Sequence, residues 1–131
     1  MYNNMGMFMI FGIGIDILEI KRIENAVRKN PRFISRLFTN AEIEILSKKK
    51  NYYESLAGMF CAKEAFSKAI GTGFGIIKWR EIEILRDDLG KPYIKLLGST
   101  KDYFEKKCFG KIHLTISHSN ENAVANCIIE V

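Results

Sequence analysis

The sequence predicts an α+β fold, with helices packed on a mainly antiparallel sheet. Three observations carry that expectation. The chain opens on an apolar, strand-like run, Met7-Phe8-Met9-Ile10-Phe11-Gly12-Ile13-Gly14-Ile15-Asp16-Ile17-Leu18. Residues 19–70 then show apolar positions at helical spacing. Beyond them the period changes to two, in a hairpin and in two later segments, so helices and antiparallel strands are mixed.

The opening run reads as a strand buried on both faces. Asp16 interrupts it, and a carboxylate buried there has to be paired, hydrogen-bonded or bound to a cation. From Glu19 to Lys29, Ile20, Ile23 and Val27 recur at helical spacing, and Pro31 ends or kinks that helix. Arg32 to Phe38 predicts a short helical turn. Thr39-Asn40-Ala41-Glu42 is a capping box that starts a helix running to about Lys49. A long helix follows from Tyr53 to Ile70, with Gly71 at the position of a C-terminal glycine cap.

Gly71-Thr72-Gly73-Phe74-Gly75 is a glycine-rich loop. Trp79 to Leu85 alternates Glu81 and Glu83 with Ile82 and Ile84, which predicts a half-buried strand. The turn Asp87-Asp88-Leu89-Gly90-Lys91-Pro92 leads to a returning strand from Tyr93 to Leu97. Ser99 to Lys107 reads as helical. Ile112, Leu114 and Ile116 alternate with His113, Thr115 and Ser117, and Ala123 to Val131 is a last apolar strand.

A chain of 131 residues is expected to form one domain, residues 1–131. Its 47% hydrophobic and 27% charged content fits a soluble globular protein. No apolar stretch has the length of a membrane span, and the first run lacks the basic start and cleavage site of a signal peptide. No membrane association is expected. Cys61, Cys108 and Cys127 form no CxxC pair, which argues against a disulfide framework and against zinc; reduced thiols in the cytoplasm are the simplest reading. A net charge of +5 is either a solubility feature or the mark of an anionic partner: nucleic acid, an acidic protein or a phosphorylated small molecule.

Chemistry concentrates in a few places. Glu64 lies among small and apolar residues in Phe60-Cys61-Ala62-Lys63-Glu64-Ala65. Together with Asp16 it points to a divalent metal and phosphate chemistry. Glu64 and Lys68, four apart, share one helix face; alone they also read as an ordinary surface pair. The Gly71 loop follows a helix, unlike the known phosphate loops, so it is either a cap and turn or a place where backbone approaches a phosphate or a thin ligand arm. Ser117-His118-Ser119 ends a strand, where His118 is either structural or functional. Lys21, Arg22, Arg28, Lys29, Arg32 and Arg36 form a basic set, read as a solvated face or as a dock for an acidic partner helix. Nothing resembles a nucleic-acid platform.

These pieces occur together in one known family. Gly12-Ile13-Gly14-Ile15-Asp16-Ile17 with Glu19 and Arg22-Ile23 comes first. Phe60 through Lys68 to Gly71-Thr72-Gly73 comes next, then Gly90-Lys91-Pro92-Tyr93, then Ser117-His118-Ser119. In order and spacing the sequence resembles the short bacterial type of 4′-phosphopantetheinyl transferase, the holo-acyl-carrier-protein synthases. The resemblance implies a 4′-phosphopantetheinyl transferase-like fold. It implies transfer of phosphopantetheine from coenzyme A to a serine of apo acyl carrier protein for fatty acid biosynthesis, with release of adenosine 3′,5′-bisphosphate. It implies Mg2+ on Asp16 and Glu64, Lys68 on the phosphates, and Gly71, Pro92, Ser117, His118 and Ser119 at coenzyme A. It also implies a homotrimer with active sites between subunits.

Within that scheme Glu64 takes the serine proton, directly or through water, and Lys68 stabilises charge on the phosphate. Arg22, Arg32 and their basic neighbours are expected to dock the acidic carrier protein, with Phe33 as an apolar anchor or as core. Two departures from the family stand out. Met59 replaces a basic residue common before Phe60, with Lys50 or Lys63 as candidate replacements. Met1 to Gly6 extends beyond the usual start and is expected to be disordered. Two rivals stand beside this reading: a small basic nucleic-acid-binding module, and a metal-dependent phosphohydrolase using the same carboxylates.

Overall fold

The structure, a computed structural model, describes residues 9–108 and 110–131; the expected disorder of residues 1–6 concerns residues outside that range. Strand β1 (Ile10–Glu19) runs straight into helix α1 (Ile20–Lys29). Short helices α2 (Phe33–Leu37) and α3 (Asn40–Ser47) lead to the long α4 (Tyr52–Ile70). Strands β2 (Ile82–Arg86) and β3 (Pro92–Leu96) make the hairpin, and α5 (Gly98–Lys107) precedes β4 (Lys111–His118) and β5 (Asn122–Glu130). The main sheet has the order β1-β5-β4, and the hairpin is a separate two-stranded sheet; every ladder is antiparallel. The α+β expectation holds.

Helix α4 is the centre of the molecule and packs against all three strands of the main sheet as well as α1, α3 and β2. Its buried small residues, Ala57, Cys61, Ala62, Ala65 and Ala69, let it lie close. The closeness is set by two glycines of β1. A Cβ on Gly12 or Gly14 would run into the backbone carbonyl oxygens of Ala69 and Ala65. Gly12, Gly14 and Asp16 share one strand face by the period of two, so the glycines draw α4 down and Asp16 then meets its side.

Two sequence expectations fail. The first run is covered on one face only: Ile13, Ile15 and Ile17 are 67%, 58% and 68% exposed. The physical reason is that α4 covers the Gly12 face, and no described element of this chain covers the other. The register sets Ile13 beside Ile128, Ile15 beside Asn126 and Ile17 beside Val124, extending this open face across the sheet. The segment from Trp79 is not a half-buried strand either. Trp79–Glu81 is a 3-10 turn, and in β2 Glu83 is buried between Ile82 and Ile84. Glu83 is tolerated there because the Thr39 hydroxyl donates to its Oε2 at 2.6 Å.

The capping box of α3 is present, with Thr39 and Glu42 bonding each other's backbone N–H groups. Glu42 does more than cap. It is fully buried, and its Oε2 also accepts the Ile84 N–H at 2.8 Å. Glu81, whose spacing had marked it as a strand residue, instead caps α5 from outside the helix. Its Oε1 accepts from the Thr100 N–H and from the hydroxyls of Thr100 and Ser99.

Candidate active site

Asp16, Glu64 and Lys68 come together where β1 passes α4. Lys68 Nζ donates to the Ile15 carbonyl at 2.9 Å and to Asp16 Oδ1 at 3.4 Å, while its side chain stays 52% exposed. Burial raises the Glu64 pKa above the ordinary carboxylate value, the neighbouring Asp16 charge pushes the same way, and Lys68 opposes both. Two carboxylates and an ammonium therefore feel one another at the edge of solvent. Cys61, one turn before Glu64's neighbour Ala65, is buried beside Asp16 and donates to the Ala123 carbonyl. Burial first, then Asp16, pushes its thiol pKa far up, so it stays protonated.

Helix α4 ends beside this cluster. Gly71 takes φ 88° and its N–H donates to the Ser67 carbonyl, the left-handed cap expected from sequence. Gly73 and Gly75 also have positive φ, and nothing lies within 4 Å of where their Cβ atoms would be. The loop thus presents bare backbone to solvent.

The other predicted residues lie elsewhere. Pro92 and Lys91 line a groove with His113, Thr115, Asn126 and Ile128, on the open face of the main sheet. Ser117 is exposed on that same face, opposite Val124. His118 points to the α4 side, and its Nδ1 lies 3.2 Å from Glu54 Oε2. The Ser119 hydroxyl accepts the N–H groups of Glu121 and Asn122 and so closes the turn between β4 and β5. One chain thus gathers Asp16, Glu64, Lys68 and Gly71 at one place and carries Pro92 and Ser117 on another face.

Arg22, Arg32 and Arg36 are exposed, and no ion pair among the described residues engages them, whereas Arg28 is held by Glu24. Phe33 is half-buried and stacks on Phe60 with centroids 6.1 Å apart, so it belongs partly to the core. Met59 is buried in the core. Lys63 cannot substitute for the missing base: its ammonium is sealed inside against Glu42. Lys50 is exposed. Sequence reasoning missed the nearness of Cys61 to Asp16 and the burial of Glu42, Lys63 and Glu83. The capping-box spacing marked Glu42 as a cap, but no local pattern reveals that a residue 21 positions later pairs with it.

The fold has counterparts among known proteins. Residues 12–126 match the family model described as the 4'-phosphopantetheinyl transferase superfamily, and the chain belongs to that family. It is 52% identical over 120 residues to the holo-[acyl-carrier-protein] synthase of Alkaliphilus metalliredigens, covering 92% of this chain and 98% of the relative. With the Clostridium novyi holo-[acyl-carrier-protein] synthase it shares 49% identity, over 94% of this chain and 89% of that one. Among solved structures, the Neisseria meningitidis holo-[acyl-carrier-protein] synthase superposes with a TM-score of 0.88 at 33% identity, over 92% and 98% of the two chains. The Bacillus anthracis synthase, in complex with CoA (3',5'-ADP), gives 0.78 at 41% identity, over 93% and 97%.

Proposed function

We propose that this chain, as one 4′-phosphopantetheinyl transferase domain, moves phosphopantetheine from coenzyme A to a serine of apo acyl carrier protein. The observation that carries the reading is the Asp16, Glu64 and Lys68 cluster in a chain of this family. Solved relatives from Bacillus anthracis and Helicobacter pylori are complexes with coenzyme A or its nucleotide part. Neither rival explains as much. A nucleic-acid module leaves the two adjoining carboxylates without a purpose, and a phosphohydrolase leaves the basic patch without one.

Asp16 and Glu64 would hold Mg2+. Their donor set fits: both offer only oxygen, and the Asp16 charge acts on Glu64. Cys61, the thiol nearest Asp16, stays protonated and offers no thiolate to a softer metal. Mg2+ bound there supplies charge neutralisation for the pyrophosphate. The chain's own groups do the rest. Lys68 faces the transferred phosphate with its exposed ammonium and stabilises the charge that builds there. Glu64 takes the proton of the attacking serine, directly or through a water. Backbone of the Gly71–Gly75 loop lets the pantetheine arm pass closely.

The split of the remaining residues supports a shared site. A coenzyme A that touches Lys68 and Gly71 on one side and Pro92 and Ser117 on the other lies between two subunits, with the His118-Ser119 segment at its nucleotide end. The exposed Ile13, Ile15 and Ile17 would seal that contact, as an open apolar face of this kind marks an interface. The homotrimer expected from the family is consistent with both features, and a monomer mass in sedimentation velocity would contradict it. No described helix is long and apolar enough to cross a membrane. A cytoplasmic role in fatty acid biosynthesis is part of the proposal and rests on the family resemblance.

Arg22 and Arg32 would dock the acidic carrier protein. Reversing both to Glu should raise KM for carrier protein about tenfold or more while leaving coenzyme A affinity alone; equal effects on both substrates would defeat the assignment. The reaction class is tested by following adenosine 3′,5′-bisphosphate. Release only when apo carrier protein is present supports transfer. Release without it supports the phosphohydrolase, and a gel shift with nucleic acid without any release supports the binding module.

A further inference from the structure

One buried charge plays no part in that site. Lys63 immediately precedes Glu64 but is directed into the core, where its side chain has no exposure. Its ammonium donates three hydrogen bonds, each 2.8 Å long, to Glu42 Oε1 and to the carbonyls of Leu37 and Trp79. An ammonium has three protons, so every donor is used. Glu42 is held as firmly, by the Thr39 N–H at 3.0 Å and the Ile84 N–H at 2.8 Å. A sealed ion pair of this kind is weak evidence for stability, because apolar residues of equal volume often do as well. Its geometry is the more informative property.

The two carbonyls belong to segments that flank the site. Leu37 closes α2, which carries Arg36 and starts beside Arg32. Trp79 opens the 3-10 turn, and its ring stacks on Phe74 of the glycine loop at 3.7 Å and on Phe60 of α4 at 5.1 Å. Phe60 stacks in turn on Phe33 of α2. Phe60 also lies four residues before Glu64, on the same helix face. A single ammonium therefore ties the end of α2, a row of four rings and the helix that presents Glu64.

We propose that Lys63 is a positioning residue that holds the α2 basic surface and the Phe33, Phe60, Trp79 and Phe74 row in register with Glu64. The proposal rests on the phosphopantetheine-transfer reading. Its consequence is selective. Loss of the tie shifts where the carrier protein sits relative to Glu64 and leaves the coenzyme A contacts of Lys68 and Gly71 in place.

The test compares Lys63→Met with Ile129→Ala, a core truncation on β5 that contributes nothing to the tie, at temperatures where both are folded. For Lys63→Met, KM for apo carrier protein should rise about tenfold and kcat should fall, with the Kd for coenzyme A by calorimetry within about twofold of the unaltered chain. Ile129→Ala should leave that KM unchanged. Trp79 is the one tryptophan of the sequence, so its emission should shift to the red and its quenching by acrylamide should increase in Lys63→Met only. If Lys63→Met does not fold, Glu42→Gln, which keeps both carbonyl contacts, should show the same pattern in smaller measure. Unchanged carrier KM in the folded variant, or an equal rise in Ile129→Ala, overturns the proposal. If the unaltered chain modifies no carrier protein, the functional reading has failed, and Trp79 quenching alone then decides whether Lys63 holds the rings.

Discussion

Lys63 and Lys68 sit on the same helix, five residues apart, and each meets a carboxylate. Lys63 is sealed, with all three protons committed at 2.8 Å to Glu42 and two carbonyls. Lys68 is half exposed, and its contact with Asp16 is a loose 3.4 Å. The carboxylates differ in the same way. Glu42 has its oxygens filled by backbone and ammonium donors. Glu64 accepts no hydrogen bond through its side chain among the described residues, and burial with Asp16 nearby raises its pKa. Satisfied charge builds the frame, and unsatisfied charge at a solvent edge is left for chemistry.

The contrast breaks most plainly at Glu64. Glu64→Gln should lower kcat by about 10²–10⁴ and leave the thermal midpoint at or above that of the unaltered chain, since it removes an unfavourably placed charge. Near-normal turnover in a steady-state assay would remove Glu64 from proton transfer.

A smaller effect tests how the open cluster is assembled. In Gly14→Ala the new Cβ collides with the Ala65 carbonyl oxygen, so β1 and α4 must part. The expected loss is about 1–3 kcal/mol of stability in denaturant titrations, together with weaker Mg2+ dependence of activity. A stable variant with intact activity would show that the close approach is not what brings Asp16 to Glu64.

The smallest effect concerns a second satisfied carboxylate. Burial alone would raise the Glu81 pKa, but hydrogen bonds from Thr100 and Ser99 outweigh it and hold the pKa below the ordinary 4.5. A depressed carboxylate stabilises fully above its unfolded pKa and loses that contribution as pH falls through the lower, folded value. Thermal melts of Glu81→Gln should therefore show a deficit above about pH 4.5 that shrinks toward pH 3. A deficit independent of pH would assign the effect to shape alone.

Much of this was legible in the sequence, for physical reasons. Capping chemistry, the Gly71 stop and the hairpin turn are local, and local rules predicted them within a residue or two. The shared face of Glu64 and Lys68 follows from helical spacing. The exposure of Ile13, Ile15 and Ile17 was not legible, because a run apolar on both faces looks the same whether its second cover is another element or another molecule. The burial of Glu83 was not legible either: its alternation with isoleucines matched a solvent-facing position, and only Thr39, 44 residues earlier, makes it an interior one. Lys63 looked like a candidate phosphate ligand for the same reason, since its partner Glu42 is distant in sequence.

The most direct measurement is the intact mass of apo acyl carrier protein after incubation with this chain, coenzyme A and Mg2+. A gain of one phosphopantetheine per carrier protein, absent when the carrier serine is replaced by alanine and when Glu64→Gln is used, is the predicted result. An unchanged carrier mass, with the chain folded and coenzyme A in excess, would contradict it.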